Sequence, residues 1–185
     1  MKYLNTANST EEILWEAPAE NTENLKLAVS PKGTYVYLLH SGKLKIFDIV
    51  SREEADTIDQ INSAVWIGNA NLIYSTKDKT SLYSTKTKKS SEITDLGPVT
   101  DLSFAPKDGG TLAFTKVGTA TAVSCKTGKS LGSKENAEIR ALTSEKTAIM
   151  EKSGFFGYWK FKEADWLVSL YNGPITNFTT VWEIY

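Results

Sequence analysis

Short stretches of alternating apolar and polar residues run along this chain, and each ends in residues that turn it. The clearest series is Leu25 to Val29, the turn Ser30-Pro31-Lys32-Gly33, then Thr34 to His40, the tight turn Ser41-Gly42, and Lys43 to Val50. A period of two sends successive side chains to opposite faces and marks half-buried antiparallel strands. Proline presets φ for the second position of a turn and glycine accepts the positive φ of a tight hairpin, so the chain reverses at these points. Lys77-Asp78-Lys79, Asp108-Gly109-Gly110 and Val117-Gly118 stand in similar places further on. Ser51 to Gln60 opens with a residue able to cap a helix and continues with acids, but it equally fits a loop followed by an outer strand, which is the reading adopted.

The pattern repeats. Leu27-Ala28-Val29-Ser30-Pro31-Lys32-Gly33 is matched by Leu102-Ser103-Phe104-Ala105-Pro106-Lys107-Asp108, and Gly97-Pro98-Val99-Thr100-Asp101-Leu102 by Gly173-Pro174-Ile175-Thr176-Asn177-Phe178. Intermediate copies at Ala64 to Asn69 and Arg140 to Glu145 give a period of about 38 residues, with Val29, Trp66, Phe104, Leu142 and Thr180 equivalent. A strand-rich unit of this size cannot bury its own faces and is stable only against neighbouring units, which predicts an all-β array of four-stranded repeats: a β-propeller. The repeats span 25–62, 63–98, 99–136 and 137–173 of one domain. Tyr3 to Ala7 and Ile13 to Trp15 resemble the second half of a repeat and Ile175 to Tyr185 the first half. Residues 1–24 and 174–185 are therefore expected to combine as a composite blade that closes a five-bladed ring. The alternative is an open array completed by a partner or a second subunit.

Composition narrows the chemistry. With 185 residues, 41% hydrophobic and 23% charged, the chain suits one globular domain, and a net charge of −1 exerts no global pull toward nucleic acid or membrane. His40 is the only histidine and Cys125 the only cysteine, which excludes an intramolecular disulfide and a Cys/His zinc site and implies no metal or cofactor. No apolar run is long enough for a membrane span and no signal-type segment opens the chain, so a cytosolic or nuclear protein is expected, with the cytoplasm the location adopted.

The turn Ser30-Pro31-Lys32-Gly33-Thr34-Tyr35, followed by strands ending in Lys45-Ile46-Phe47-Asp48-Ile49, resembles the WD-repeat superfamily, in which an S-P-x-G turn precedes strands ending in a W/F-D-like pair. Only Phe47-Asp48 keeps that dipeptide and no copy has the G-H pair, so the likeness is to degenerate repeats. Gly97 to Pro106 and Ser30 to Tyr35 also look like blade openings in the WD-type propellers of eukaryotic translation-initiation factors. Those factors are ribosome-associated and have larger propellers, and this chain would be a reduced relative.

Catalytic signals are weak. His40 stands beside Ser41-Gly42 and reads as a turn-facing surface residue, while Cys125 ends an expected strand from Thr119 and reads as a buried or half-buried thiol. Gly109-Gly110 and Gly154-Phe155-Phe156-Gly157 lack the strand, loop and helix context of a phosphate site and read as turns. No enzymatic activity is expected. The alternative is a small-ligand-binding or hydrolytic propeller using loop carboxylates such as Glu53-Glu54 or Glu11-Glu12.

Two features suit a partner. Lys77, Lys79, Lys86, Lys88 and Lys89 make a local basic patch on loops of one blade, able to touch RNA phosphates; the competing reading is that they discourage edge pairing. The aromatic C-terminal part packs a blade, but exposed members would anchor a protein partner, with Trp159 and Trp182 the candidates. The function expected is a non-enzymatic scaffold docking into a larger protein or ribonucleoprotein assembly, with ribosome and translation-initiation association as its specific form.

Overall fold

In the computed structural model, residues 25–162 are described, Asp108 by its backbone alone, together with the backbone of three further strands. Near the N-terminus β1 (Lys2–Asn5) pairs antiparallel with β2 (Thr10–Ile13). Four antiparallel four-stranded sheets follow, each strand paired with the next in sequence. The first contains β3 (Lys26–Val29), β4 (Tyr35–His40), β5 (Lys43–Asp48) and β6 (Glu54–Ile58). The second contains β7 (Ser63–Trp66), β8 (Asn71–Ser75), β9 (Thr80–Ser84) and β10 (Lys89–Glu92). The third contains β11 (Thr100–Ala105), β12 (Thr111–Lys116), β13 (Thr119–Ser124) and β14 (Ser130–Glu135). The fourth contains β15 (Glu138–Ser144), β16 (Thr147–Lys152), β17 (Phe155–Lys160) and β18 (Trp166–Tyr171). The first strand of each sheet lies beside the first strand of the next, β3 with β7, β7 with β11 and β11 with β15. The fold is an all-β, four-bladed propeller arrangement whose described helical content is a single 3-10 turn at Lys107–Gly109. Ser51 to Gln60 forms a turn and β6, as its loop-and-strand reading requires. Residues 174–185, assigned to the composite closing blade, lie outside the described residues.

The reason for stacking is visible in β4. Tyr37 and Leu39 face one way with Leu44 and Ile46 of β5, while Val36 and Leu38 face the other with Phe47. Both sets are buried, so the strand reads as an almost continuous apolar run. The first set packs on Trp66, Leu72, Tyr74 and Tyr83 of the second blade. The opposite face of that blade, with Ile73, Val65 and Leu82, meets Leu102, Leu112 and Phe114 of the third. The third blade then offers Ala105, Ala113, Ala120 and Ala122 to Leu142, Met150, Trp159 and Phe161 of the fourth. Small faces large at this last interface. A side chain on Gly132 would collide with the Trp159 ring and the Phe161 carbonyl, so glycine is needed for the close approach.

Hydroxyl latches supplement the packing. Ser63 Oγ accepts from the Leu102 N–H at 3.0 Å and Ser103 Oγ from the Leu142 N–H at 2.9 Å, both across 39 residues. Ser75 Oγ accepts from the Val99 N–H and Thr115 Oγ1 from the Ile139 N–H, each at 2.9 Å and across 24 residues. Each latch satisfies a backbone donor at a blade junction, where no strand ladder reaches it. The first junction uses different groups. Tyr37 Oη donates to the Ala64 carbonyl at 2.7 Å, Trp66 Nε1 donates to the Ala28 carbonyl at 3.0 Å, and Tyr83 Oη donates to the Asp56 carboxylate. Burial drives the Tyr37 phenol well above its ordinary pKa, and burial followed by the Asp56 hydrogen bond does the same for Tyr83.

Within the blades one bond recurs in every copy. The amide after the third strand donates to the carbonyl just before the second: Ile49 to Thr34, Thr85 to Ala70, Cys125 to Gly110 and Phe161 to Lys146, at 2.9, 2.9, 2.9 and 3.0 Å. Tight turns between the second and third strands place Ser41-Gly42, Val117-Gly118 and Ser153-Gly154 at positive φ in both positions, the signature of a type I′ hairpin.

Thr115→Val keeps the side-chain volume but leaves the Ile139 amide without its acceptor, and Ser75→Ala does the same to Val99. Each substitution is expected to lower the unfolding free energy by about 1–3 kcal/mol in urea titration. Because the Tyr37 and Tyr83 phenols are held protonated in the fold, their contribution to stability is fully present below about pH 10, the ordinary tyrosine range, and is lost as pH rises beyond it. Ultraviolet titration at alkaline pH should show these two tyrosinates appearing only together with unfolding, and Tyr37→Phe should remove part of the pH dependence.

Candidate functional site

Antiparallel order sorts the turns into two sets. Turns joining first to second and third to fourth strands lie at one end of every blade; turns joining second to third strands lie at the other, with the links between blades. Contacts across blades agree with this sorting. Asn69, in the β7–β8 turn, accepts from Ser30 Oγ and the Lys32 amide and donates to Thr34 Oγ1, all at the β3–β4 turn. Likewise Thr111 Oγ1, at the start of β12, donates to the Glu145 carbonyl in the β15–β16 turn.

The five lysines of the expected patch divide between these ends. Lys77 and Lys79 flank the β8–β9 turn, whereas Lys86, Lys88 and Lys89 follow β9 at the other end. The intervening five-residue strand is about 17 Å long. All five are exposed and they belong to one blade, but they form two groups. Other basic residues join the second group. Lys32 and Arg52 of the first blade, Lys107, Lys126 and Lys129 of the third, and Lys146 and Lys162 of the fourth are all exposed on turns at the end that carries Lys86. Among the acids there, Asp48 accepts from the Val50 and Ser51 amides of its own turn, Glu145 is half-buried and Glu53 is exposed. At the opposite end charge is mixed: Lys43 lies 3.6 Å from Asp59, Lys116 Nζ donates to the Leu96 carbonyl, and Asp78 separates Lys77 from Lys79.

Nearness in sequence gathers residues of one blade and mixes its two ends. The usable signal was the parity of the turns: basic residues recur in alternate turns, as in Lys86-Thr87-Lys88-Lys89 and Lys126-Thr127-Gly128-Lys129. These two turns have the same backbone, with Lys88 and Gly128 at positive φ and their amides bonded to the Ser84 and Ser124 carbonyls.

The aromatic candidates have different fates. Trp159 is 0% exposed in the core between the third and fourth blades, with its ring 4.8 Å from that of Phe161 in an edge-on arrangement, leaving no surface for a partner. Its burial is the blade-packing role. Phe155, at the start of the same strand, is 46% exposed. Trp182 lies outside the described residues. A separate apolar strip is formed by Leu25, Leu27 and Val29, exposed on and beside β3.

The carboxylate and nucleophile candidates have structural duties. Glu54 accepts from Thr57 Oγ1 and from Lys45 Nζ, the latter at 2.9 Å, and these bonds, the Thr57 one foremost, hold its pKa below the ordinary value. A general acid needs the opposite shift. Glu53 is its exposed neighbour, and the Glu11 and Glu12 side chains lie outside the described residues. Ser41 Oγ lies 3.3 Å from His40 Nε2, but on an exposed hairpin turn. Cys125, expected to be buried or half-buried, is instead exposed just beyond β13, because its amide closes the recurring bond to Gly110 and places it in the turn. Surrounding chain still desolvates the sulfur and raises the thiol pKa, the reverse of what a nucleophilic thiolate requires. Among the described residues no cluster of histidine, cysteine and acids could hold a metal, and no helix is long and apolar enough to cross a membrane.

The fold defines a propeller-type repeat protein, and the described charged side chains at one of its ends are mainly cationic. No family model matches the chain, and no curated protein matches it.

Cys125 should react completely with iodoacetamide in the native protein, but at neutral pH more slowly than a free model thiol. The rate should climb with pH past the ordinary thiol range, as followed by mass spectrometry.

Proposed function

We propose that this chain is a non-enzymatic scaffold that docks into a larger protein or ribonucleoprotein assembly in the cytoplasm. The observation that carries this reading is the convergence of turns from all four blades on one end whose exposed charged side chains, among the described residues, are mainly Lys and Arg. Latched blades hold such turns in fixed relation, a disposition suited to broad contact with a macromolecule. The finer form of the proposal is a degenerate WD-repeat propeller associated with the ribosome during translation initiation. Its support is the Ser30-Pro31-Lys32-Gly33 turn, the Phe47-Asp48 pair and the blade openings already described.

The test is capture of partners by the tagged chain from a eukaryotic lysate at low and moderate salt, read by mass spectrometry and by assay of ribosomal RNA. Retention of ribosomal proteins and RNA, reduced when Lys86 and Lys89 become glutamine, is the expected result. Recovery of a different defined complex overturns the ribosomal form and keeps the scaffold reading. Recovery of no macromolecule at either salt overturns both.

A further inference from the structure

We infer that the end of the propeller carrying Lys32, Lys86, Lys107 and Lys126 binds the phosphodiester backbone of RNA, without reading bases. This deepens the scaffold reading and rests on it for the choice of RNA over other polyanions. Every blade contributes at least one exposed cation to this end: Lys32 from the first, Lys86, Lys88 and Lys89 from the second, Lys107, Lys126 and Lys129 from the third, Lys146 and Lys162 from the fourth. A chain with net charge −1 thus presents, among its described residues, an excess of cations over acids at this end. Near neutrality overall, it gains attraction for a polyanion only in the orientation that presents this end.

The composition of the end decides among polyanions. Lysine is depleted in protein–protein interfaces, whose centres are apolar and aromatic, whereas interfaces with nucleic acid are polar and strongly positive. A surface that inserts into an anionic membrane pairs its cations with exposed Trp, Phe or Leu. Val50, in the β5–β6 turn, and Val29, at the end of β3, are the exposed large apolar side chains at this end among the described residues, and no exposed Trp, Phe or Leu joins them there. Hydroxyls interleave with the cations instead: Thr87 stands between Lys86 and Lys88, and Thr127 between Lys126 and Lys129. Thr127 Oγ1 accepts from the Lys129 amide, which leaves its O–H able to donate to a phosphate oxygen.

The mode of binding follows from what the turns present. Flexible ammonium groups are point charges, and these turns carry no exposed aromatic platform for a base among the described residues. Affinity should therefore arise mainly from counterion release, with little preference among sequences. With about five phosphate contacts on single-stranded RNA, log K should fall by about 3.5 per tenfold rise in salt, or about 100-fold between 50 and 200 mM.

The experiment is fluorescence anisotropy of the full chain with labelled 20-nucleotide single-stranded RNAs of two unrelated sequences, over that salt range. Lys86→Gln/Lys89→Gln/Lys126→Gln/Lys129→Gln alters four lysines in or beside two turns and spares Lys88, which stands at positive φ. It should reduce affinity at 50 mM at least tenfold and flatten the salt slope by about 2.8, with circular dichroism and thermal midpoint unchanged. Lys77→Gln/Lys79→Gln, at the opposite end, should leave affinity and slope within twofold of the parent. Absence of binding at 50 mM, equal losses in the two variants, or tight binding to only one sequence would overturn the inference. So would capture by phosphatidylserine vesicles without binding to RNA. RNA binding by the isolated chain alongside failure to capture any assembly would sink the docking proposal alone. Capture of an assembly that resists ribonuclease and tolerates the fourfold variant, with no RNA binding, would sink this inference alone.

Discussion

The structure depends on the burial of both faces of each sheet. A blade such as β3 to β6 carries Tyr37, Leu39, Leu44 and Ile46 on one face and Val36, Leu38 and Phe47 on the other, so it has no face suited to water. Stacking satisfies both faces for the interior blades, and each blade thereby becomes part of its neighbour's core. Burying one large apolar side chain is worth about 1.5–3 kcal/mol, and each junction buries several of them against latches of about 0.5–1.5 kcal/mol net apiece, so packing sets the order of the blades. The hydroxyls of Ser63, Ser75, Ser103 and Thr115 then fix how far one blade may slide or rotate on the next.

Stacking also fixes what the surface can present. With sheet faces consumed by neighbours, turns and outer strands are what remain for interaction, and antiparallel connectivity assigns each turn to one of two ends. A residue's turn decides its company more than its distance along the chain does. Lys86 is near Lys79 in sequence, but it shares an end with Lys32 and Lys126 from other blades. The cationic end is therefore a collective property of the array.

The junctions are chemically unequal despite the repeat. The first is aromatic and polar, with Trp66 beside Tyr35 and Tyr37 at ring separations of 6.3 and 5.8 Å and the side chains of Tyr37, Trp66 and Tyr83 among the donors crossing it. The third sets alanines and Gly132 against Trp159 and Phe161. Equivalent strand positions thus hold different residues because each is matched to its neighbour across the junction, which accounts for the weakness of the internal repeat as a sequence signal. The repeat persists best where backbone geometry demands it, at the positive-φ turns and the bond that closes the end of each third strand.

Much of the architecture was already determined along the chain. Period-two alternation, turn residues and recurrence at about 38 residues specify antiparallel strands in repeating units, because strand and turn propensities act over a few residues at a time. Local patterning could not say that Trp159 is wholly enclosed, since that follows from the small residues of another blade, nor that Cys125 is exposed, since that follows from a bond to Gly110 that moves it past the strand end. It could not separate Lys77 and Lys79 from Lys86, Lys88 and Lys89, or join the latter to cations from three other blades. Those relations exist only after the sheets stack, because they hold between residues brought together by packing and not by adjacency in the chain.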